Sequence, residues 1–144
     1  MIKFIHTEDV LPLRNSVLRE GKFLLKDCIF ENDDHPKTFH LGYYQDDELV
    51  CVASFHPQKH ANFEGEASQL RGMATAHSFQ GKGIGNKLVN FAIVYLRGQH
   101  INYVWCNARQ KAFKFYTSLG FEFISDFFDI PNIGPHKQMY LKIR

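Results

Sequence analysis

The residues best suited to chemistry are Gln80-Gly81-Lys82-Gly83-Ile84-Gly85. Three glycines at alternate positions admit backbone conformations that side chains block, and they let a ligand approach the main chain closely. A helix-period pattern follows at once, at Ile84, Leu88, Phe91, Ala92 and Tyr95, one face of a helix. Amides at a helix start carry partial positive charge and suit a phosphate. One reading is therefore a diphosphate cradle. The other is a tight strand-to-helix turn that takes glycine only for its shape. Two familiar phosphate loops are excluded. GxxxxGK[S/T] does not occur, and GxGxxG fails because Asn86 stands where the third glycine belongs. What remains is Q-x-x-G-x-G, read from Gln80, Gly83 and Gly85.

The elements that must position this loop follow from pattern. Residues 2–6 read as a strand, then Thr7-Glu8-Asp9 as a helix cap with an acidic first turn. Val10, Leu13 and Val17 form a helical stripe, with Pro12 expected near the first turn because deeper in a helix it breaks hydrogen bonding. Gly21 ends that unit, and residues 22–36 hold a short second helix. Thr38–Tyr44 and Glu48–His56 read as a hairpin through Gln45-Asp46-Asp47. Ala67–Thr75 is the strand that feeds the loop. Its alternation puts Gln69, Arg71, Met73 and Thr75 on one face, and Ser68, Leu70, Gly72 and Ala74 on the other. The helix after the loop runs to about Arg97, with Gly98 as its stop. Asn102–Cys106 is a short strand, followed by Asn107. A helix carries Ala112, Phe115, Tyr116 and Leu119, capped by Gly120 with Phe121 closing the contact. Phe121–Phe128 and Gln138–Ile143 are the last strands. The order β-α-(α)-β-β-β-α-β-α-β-β gives an α/β (α+β) fold with a mixed central sheet flanked by helices.

Composition narrows the function classes. The 144 residues suit one domain, 1–144. No apolar run is long enough for a membrane span. Met1–His6 has no apolar leader core, so a cytoplasmic setting is expected. The net charge of +2 comes from dispersed residues, which argues against a nucleic-acid surface. Cys28, Cys51 and Cys106 lack metal spacing and read as small buried hydrophobes. His56 and His60 stand at i, i+4, but Pro57 spoils a shared helical face and no third ligand is evident, so no metal site is expected.

Taken together, Leu70–Thr75, the Q-x-x-G-x-G loop, Asn107, Ala112, Tyr116 and Leu119-Gly120-Phe121 resemble the GCN5-related N-acetyltransferases. Leu13-Arg14, Val17-Leu18 and Phe39-His40-Leu41 resemble the ElaA-type branch of that superfamily. The resemblance implies transfer of an acetyl group from acetyl-CoA to a primary amine, by direct attack in a ternary complex. It implies that Gly81 to Asn86, with Gln80, Lys82, Gly83, Ile84 and Gly85 between and around them, bind the pyrophosphate. Met73, Ala74 and Thr75 then pair with the pantetheine arm, and Asn107 hydrogen-bonds it; a polar cap before the next helix is the other reading of Asn107. Tyr116 is the general acid or hydrogen-bond donor for the departing thiolate, or else a member of its helix's apolar stripe.

The acceptor side is less determined. Family members place a glutamate where this chain has Gln69, which cannot act as a base. His40, His56, His77 and His136 are alternatives with suitable intrinsic pKa values. Arg71, on the Gln69 face, either pairs with a substrate carboxylate or forms an internal ion pair. The expected partners are a small-molecule or peptide amine, in a monomer or homodimer, with no nucleic acid and no membrane. A second function class is a non-catalytic acyl-CoA-binding regulatory or sensor module.

Overall fold

The computed structural model describes residues 1–144. Its elements are β1 (Ile2–Ile5), α1 (Thr7–Leu13), a π-helical turn (Arg14–Leu18), a 3-10 turn (Leu25–Cys28), β2 (Phe39–Gln45), β3 (Glu48–Pro57) and β4 (Ala67–Thr75). A 3-10 turn (His77–Phe79) leads to α2 (Ile84–Gly98). Then come β5 (Tyr103–Arg109), a 3-10 turn (Gln110–Ala112), α3 (Phe113–Ser118), β6 (Glu122–Phe123), β7 (Phe128–Ile130) and β8 (Gly134–Lys142). The strands make a mixed sheet, as the element order required. The chain divides into two compact units, Met1–Pro57 with Leu70–Ala92, and Gln58–Gln69 with Ile93–Arg144. β4 and α2 each contribute residues to both.

In the first unit β1, β2 and β3 pair antiparallel, from Ile2↔Tyr43 through Phe39↔Phe55 to Gln45↔Glu48. Asp46 and Asp47 both take positive φ (51° and 65°), the two-residue turn whose hand matches strand twist. β3 is nearly all apolar because it is covered: Val50, Cys51, Val52 and Ala53 are all buried. Val10 and Leu11 of α1 pack with Cys28, Val52 and Ala74.

Two helix-end expectations change here. The cap of α1 is His6, whose N–H is taken by Asp9 Oδ2 at 2.9 Å. Thr7 is released to bond Asp34 Oδ1 at 2.7 Å. Pro12 lies well inside α1. It costs the Glu8 carbonyl its helical donor, and the chain continues into the π-helical turn that carries Arg14 inward. Residues 22–36 hold only the short 3-10 turn.

The buried face of α2 is Ile84, Leu88, Val89, Ala92, Ile93 and Leu96. Phe91 lies at its exposed margin, edge-on to Phe4 with centroids 5.9 Å apart. Gly98 remains helical. The reversal falls on His100 (φ 63°), where Ile101 N–H reaches Leu96 O and His100 N–H reaches Arg97 O. That paired pattern satisfies the last carbonyls, and histidine tolerates the left-handed region better than most residues.

In the second unit β5 pairs parallel with the start of β4, from Ala67↔Tyr103 to Gln69↔Trp105. It pairs antiparallel with β8 along its length. The expected strand at Phe121–Phe128 is split into β6 and β7. Between them Ser125 Oγ accepts the Gln138 N–H at 2.8 Å, so a side chain replaces a ladder bond and the strand bends away.

Candidate functional site

The centre of the first unit is an irregularity in β4. Gly72 has φ +63° in mid-strand, and a Cβ there would stand 2.8 Å from Arg14 Nε and 3.2 Å from Phe30 Cε2. Only glycine meets both demands without strain. Beyond it Ala74 is buried, while Met73 and Thr75 are half-buried. Thr75 Oγ1 lies 3.2 Å from Cys51 Sγ, a thiol that burial pushes up to about 11 against the Thr75 hydrogen bond.

The glycine loop is tied to the end of this strand. Gln80 Nε2 donates to Thr75 O at 2.9 Å, so the residue that opens the motif fixes where the loop leaves β4. Gly81 and Gly83 take φ +75° and +79° with nothing within 4 Å of an added Cβ. Glycine is needed there for conformation and not for room. The helical ladder of α2 begins with Lys87 N–H to Gly83 O at 3.2 Å. The amides of Ile84 and Gly85 stand ahead of it, as helix-start donors do. Lys82 sits beside the loop, its Nζ 5.4 Å from the Phe79 ring centroid. The structure therefore brings Met73, Ala74 and Thr75 together with the Gln80–Asn86 segment.

Beneath β4 lies a cluster that pattern reading did not assemble. Arg14 Nη1 donates to Asp33 Oδ2 at 2.6 Å and to Cys28 O at 2.9 Å. Its Nη2 donates to Asp33 Oδ1 at 2.9 Å and to Ser54 Oγ at 2.7 Å. Asp33 also accepts from His56 Nε2 at 3.0 Å and from Phe30 N–H at 2.7 Å. Burial alone would raise the Asp33 carboxyl, but the bonds from Arg14, His56 and Phe30 outweigh it and hold it well below the carboxylate range. His40 closes the cluster, with Nδ1 2.6 Å from Ser54 Oγ and Nε2 3.0 Å from Asp33 O. A carbonyl only accepts, so Nε2 carries the proton. Ser54 Oγ already accepts from Arg14, so its own hydrogen goes to Nδ1. That is the neutral ring, consistent with burial lowering the His40 pKa. A clue existed in the sequence: Arg14 stands four residues after Val10, on the buried side of the Val10, Leu13 and Val17 stripe.

Arg71 lies next to this cluster and outside its bonding. Its guanidinium carbon is 4.2 Å from the Phe30 ring centroid, and that of Arg14 is 3.9 Å from the same centroid. Burial lowers its pKa, the nearby Arg14 and Arg19 guanidiniums add to this, and Asp33 opposes them. The internal ion pair that was one reading of Arg71 is not formed; its partly buried side chain makes no salt bridge.

In the second unit Asn107 lies inside β5 opposite Gln138, not at a helix start. Its Oδ1 accepts from Gln138 Nε2 at 3.3 Å, and Gln138 Oε1 is 2.8 Å from His60 Nε2. Its role as a helix cap is thereby replaced by a place in the strand. Tyr116 is buried on α3 against Phe115 and Phe121, with centroids 5.0 and 5.2 Å away. Gly120 and Phe121 cap α3 as the pattern required, with Phe121 N–H on Tyr116 O. Burial pushes the Cys106 thiol far up, and a hydrogen bond from Tyr116 opposes that only in part. Such a thiol is no nucleophile near neutral pH. Gln69 is buried opposite Trp105, and Glu66 pairs on the surface with Lys59 at 3.4 Å. Of the four candidate histidines, His40 and His56 belong to the Arg14 cluster. His136 is buried with Nδ1 on Gly134 O at 2.8 Å, and His77 is exposed. His56 and His60 serve these separate networks, and no group of three or more His, Cys, Asp or Glu side chains is placed to hold a metal. No helix is long and apolar enough to cross a membrane.

Residues 3–121 match the model of the Acetyltransferase (GNAT) family. The chain is 35% identical over 144 residues to the uncharacterized N-acetyltransferase YitI of Bacillus subtilis (strain 168), covering 99% of this chain and 96% of that protein. The crystal structure of Escherichia coli ElaA superposes with TM-score 0.76 at 20% identity, over 97% of each chain. That of an aminoglycoside 6'-N-acetyltransferase complexed with coenzyme A does so with TM-score 0.78 at 15% identity, over 100% of this chain and 97% of that one.

Proposed function

The chain belongs to the acetyltransferase (GNAT) family and is an acetyl-CoA-dependent N-acetyltransferase, and from that premise we propose how its residues divide the work. Residues 1–144 act as one N-acetyltransferase domain, a reading supported by the continuity of β4 and α2 through both units. The main chain from Gly81 to Asn86 holds the pyrophosphate, with Lys82 adding charge and Gln80 setting the loop against β4. The observation that carries this is the joined strand and loop: Gln80 on Thr75 O, open left-handed glycines, and amides ahead of the α2 ladder. Met73, Ala74 and Thr75 offer backbone groups to the pantetheine arm in the manner of an added strand, with the Thr75 carbonyl shared with Gln80. Asn107 donates from its carboxamide.

Acetyl-CoA supplies an activated thioester. A backbone N–H of β4 polarises its carbonyl, and Tyr116 turns its single hydroxyl hydrogen from Cys106 to the leaving sulfur. An ordinary phenol near pKa 10 is a weaker acid than a thiol near 8.5, so complete proton transfer is uphill by about 2 kcal/mol. A strong hydrogen bond is therefore the better description of the step. Gln69 and Arg71 face the acceptor, a small-molecule or peptide primary amine that attacks directly. Three free buried cysteines fit a reduced, cytoplasmic setting.

The test is free-thiol release from acetyl-CoA across a panel of amines, with acetyl-CoA binding measured alongside. Binding without turnover across the panel would support a sensor instead. Tyr116→Phe is expected to lower kcat about 10-fold or more, with little change in the affinity for acetyl-CoA. Unchanged turnover, with chemistry rate-limiting, removes Tyr116 from the mechanism.

A further inference from the structure

The first unit contains a completed charge pair and an incomplete one on the same aromatic ring. Asp33 holds four donors: Arg14 Nη1 and Nη2, His56 Nε2 and the Phe30 N–H. A carboxylate offers about four lone-pair sites, so Asp33 has no capacity left for Arg71. No other acid forms a salt bridge with Arg71. Arg19, also partly buried, rests on the Phe23 ring at 5.2 Å and likewise has no acid partner. Three guanidiniums are thus compensated by one carboxylate. A half-buried cation costs free energy unless an anion meets it. Arg71 is held by its contact with Phe30, and a guanidinium presents its N–H fork to a planar oxyanion pairwise.

Position decides which ligand that anion belongs to. The pyrophosphate loop begins at Gln80, while Arg71 lies at the middle of β4, four residues before Thr75. At no more than about 3.3 Å per residue, and with Gly72 bent between them, that is at most about 13 Å along the strand. Arg71 therefore stands past the donor segment Met73–Thr75, where an attacking amine must arrive. The exposed apolar side chains Phe23, Leu24 and Leu25 lie in the segment that leads to Phe30, the ring against Arg71, and suit an acceptor with an apolar body. We propose that the acceptor is an amine bearing its own carboxylate, a free amino acid with an apolar side chain, and that Arg71 binds that carboxylate. This rests on the transferase reading above. Arg71 is a specificity residue here and takes no part in bond-making. The amine nitrogen forms the new amide bond, the C–S bond breaks, and the thiol leaves with one proton.

The experiment compares acceptors that differ only in the anion. Purified full-length chain is given acetyl-CoA with L-leucine or L-leucinamide, and with L-phenylalanine or L-phenylalaninamide. O-phosphoethanolamine and putrescine complete the panel. Thiol release and the N-acetylated product are both measured. The expected result is a kcat/KM at least 10-fold higher for each amino acid than for its amide. In Arg71→Gln that preference collapses, and KM for the amino acid rises far more than KM for acetyl-CoA. Arg71→Lys keeps a charge without the fork and restores part of the preference. Equal kcat/KM for acid and amide in the unmodified protein overturns the proposal without any variant. So does an equal rise of both KM values in Arg71→Gln, which would place Arg71 with the donor. Preference for O-phosphoethanolamine over every amino acid, lost in Arg71→Gln, assigns the anion to phosphate and also overturns it. Turnover of putrescine with no response to carboxylates sinks this proposal and leaves the transferase standing. Acetyl-CoA binding with no turnover of any amine sinks the transferase. The carboxylate is then read by thermal shift with L-leucine, and failure of Arg71→Gln to abolish that shift overturns it.

Discussion

Two guanidiniums lie against one ring, 3.9 and 4.2 Å from the Phe30 centroid, and they are treated oppositely. Arg14 is 1% exposed and has a bidentate carboxylate, a carbonyl and a hydroxyl around it. Arg71 is half-buried and has the ring alone. A charge removed from water is tolerated when hydrogen-bonded counter-charge surrounds it. Where the chain builds that environment for one arginine and withholds it from the next, the first is part of the fold and the second is open to something from outside. The two then respond to mutation in different measurements, stability for Arg14 and acceptor recognition for Arg71.

The largest effect belongs to the completed pair. Asp33→Asn leaves the Arg14 charge buried without its partner, and Arg14→Met leaves Asp33 so. Each is expected to cost about 3–5 kcal/mol of unfolding free energy, read by chemical denaturation. A loss below about 1 kcal/mol would mean that water reaches the cluster, and the contrast with Arg71 would go with it.

Gly72→Ala comes next. A side chain there must hold φ +63° and push Arg14 Nε from 2.8 Å. Left-handed strain alone is about 1–3 kcal/mol, so a loss of at least 1 kcal/mol is expected. Because Gly72 touches both Arg14 and Phe30, the substitution should also raise the acceptor KM by way of Arg71. A stable variant with altered acetyl-CoA affinity alone would separate Gly72 from the arginine pair.

Acid is a milder probe, with a fixed sign. His40 has its pKa lowered from 6.5 in the folded state, so the stability it contributes is complete above that value and is lost as pH falls below it. Asp33 has its pKa lowered from 3.8, so its contribution is complete above 3.8 and is lost as pH falls further. Stability should decline in two stages, the first below about pH 6.5. His40→Gln should remove the first stage and keep the second. A profile flat from pH 7 to 5 would contradict the neutral His40 tautomer.

The shape of the glycine loop was legible in sequence, and the arginine cluster was not. Gln80 and Gly83 act within a few residues, through local backbone conformation, so their spacing shows where the loop leaves β4 and α2 begins. The same holds for the Gly120 cap behind Tyr116. Arg14, Asp33, Ser54 and His56 bond to one another across 19 to 40 positions, and no spacing rule links them. The visible trace was a charged residue on a buried stripe, obscured by Pro12 and the π-helical turn after it. Asn107 was displaced for a related reason: β5 runs three residues past Cys106 because β8 pairs with it as far as Arg109↔His136, a partnership 27 residues distant. In sequence Gly72 is only a small residue in an alternating strand, since a positive φ there answers to Arg14, not to its neighbours.

The smallest expected effect is the most discriminating. Arg71→Gln loses a cation–π contact of about 0.5–1 kcal/mol. It also relieves repulsion from Arg14 and the cost of an unpaired half-buried charge. The two nearly cancel, so stability should stay within about 1 kcal/mol of the parent, with either sign. The double variant sharpens this. In Asp33→Asn the Arg14 charge has lost its compensation and repels Arg71 more strongly. Removing Arg71 should therefore be more favourable there, by roughly 0.5 kcal/mol or more, than in the parent. A structural ion pair through Arg71 would give the reverse sign in that cycle and a large loss in the single variant. Added L-leucine gives the complementary reading: if the carboxylate completes Arg71, it should raise the melting temperature of the parent and leave Arg71→Gln unmoved.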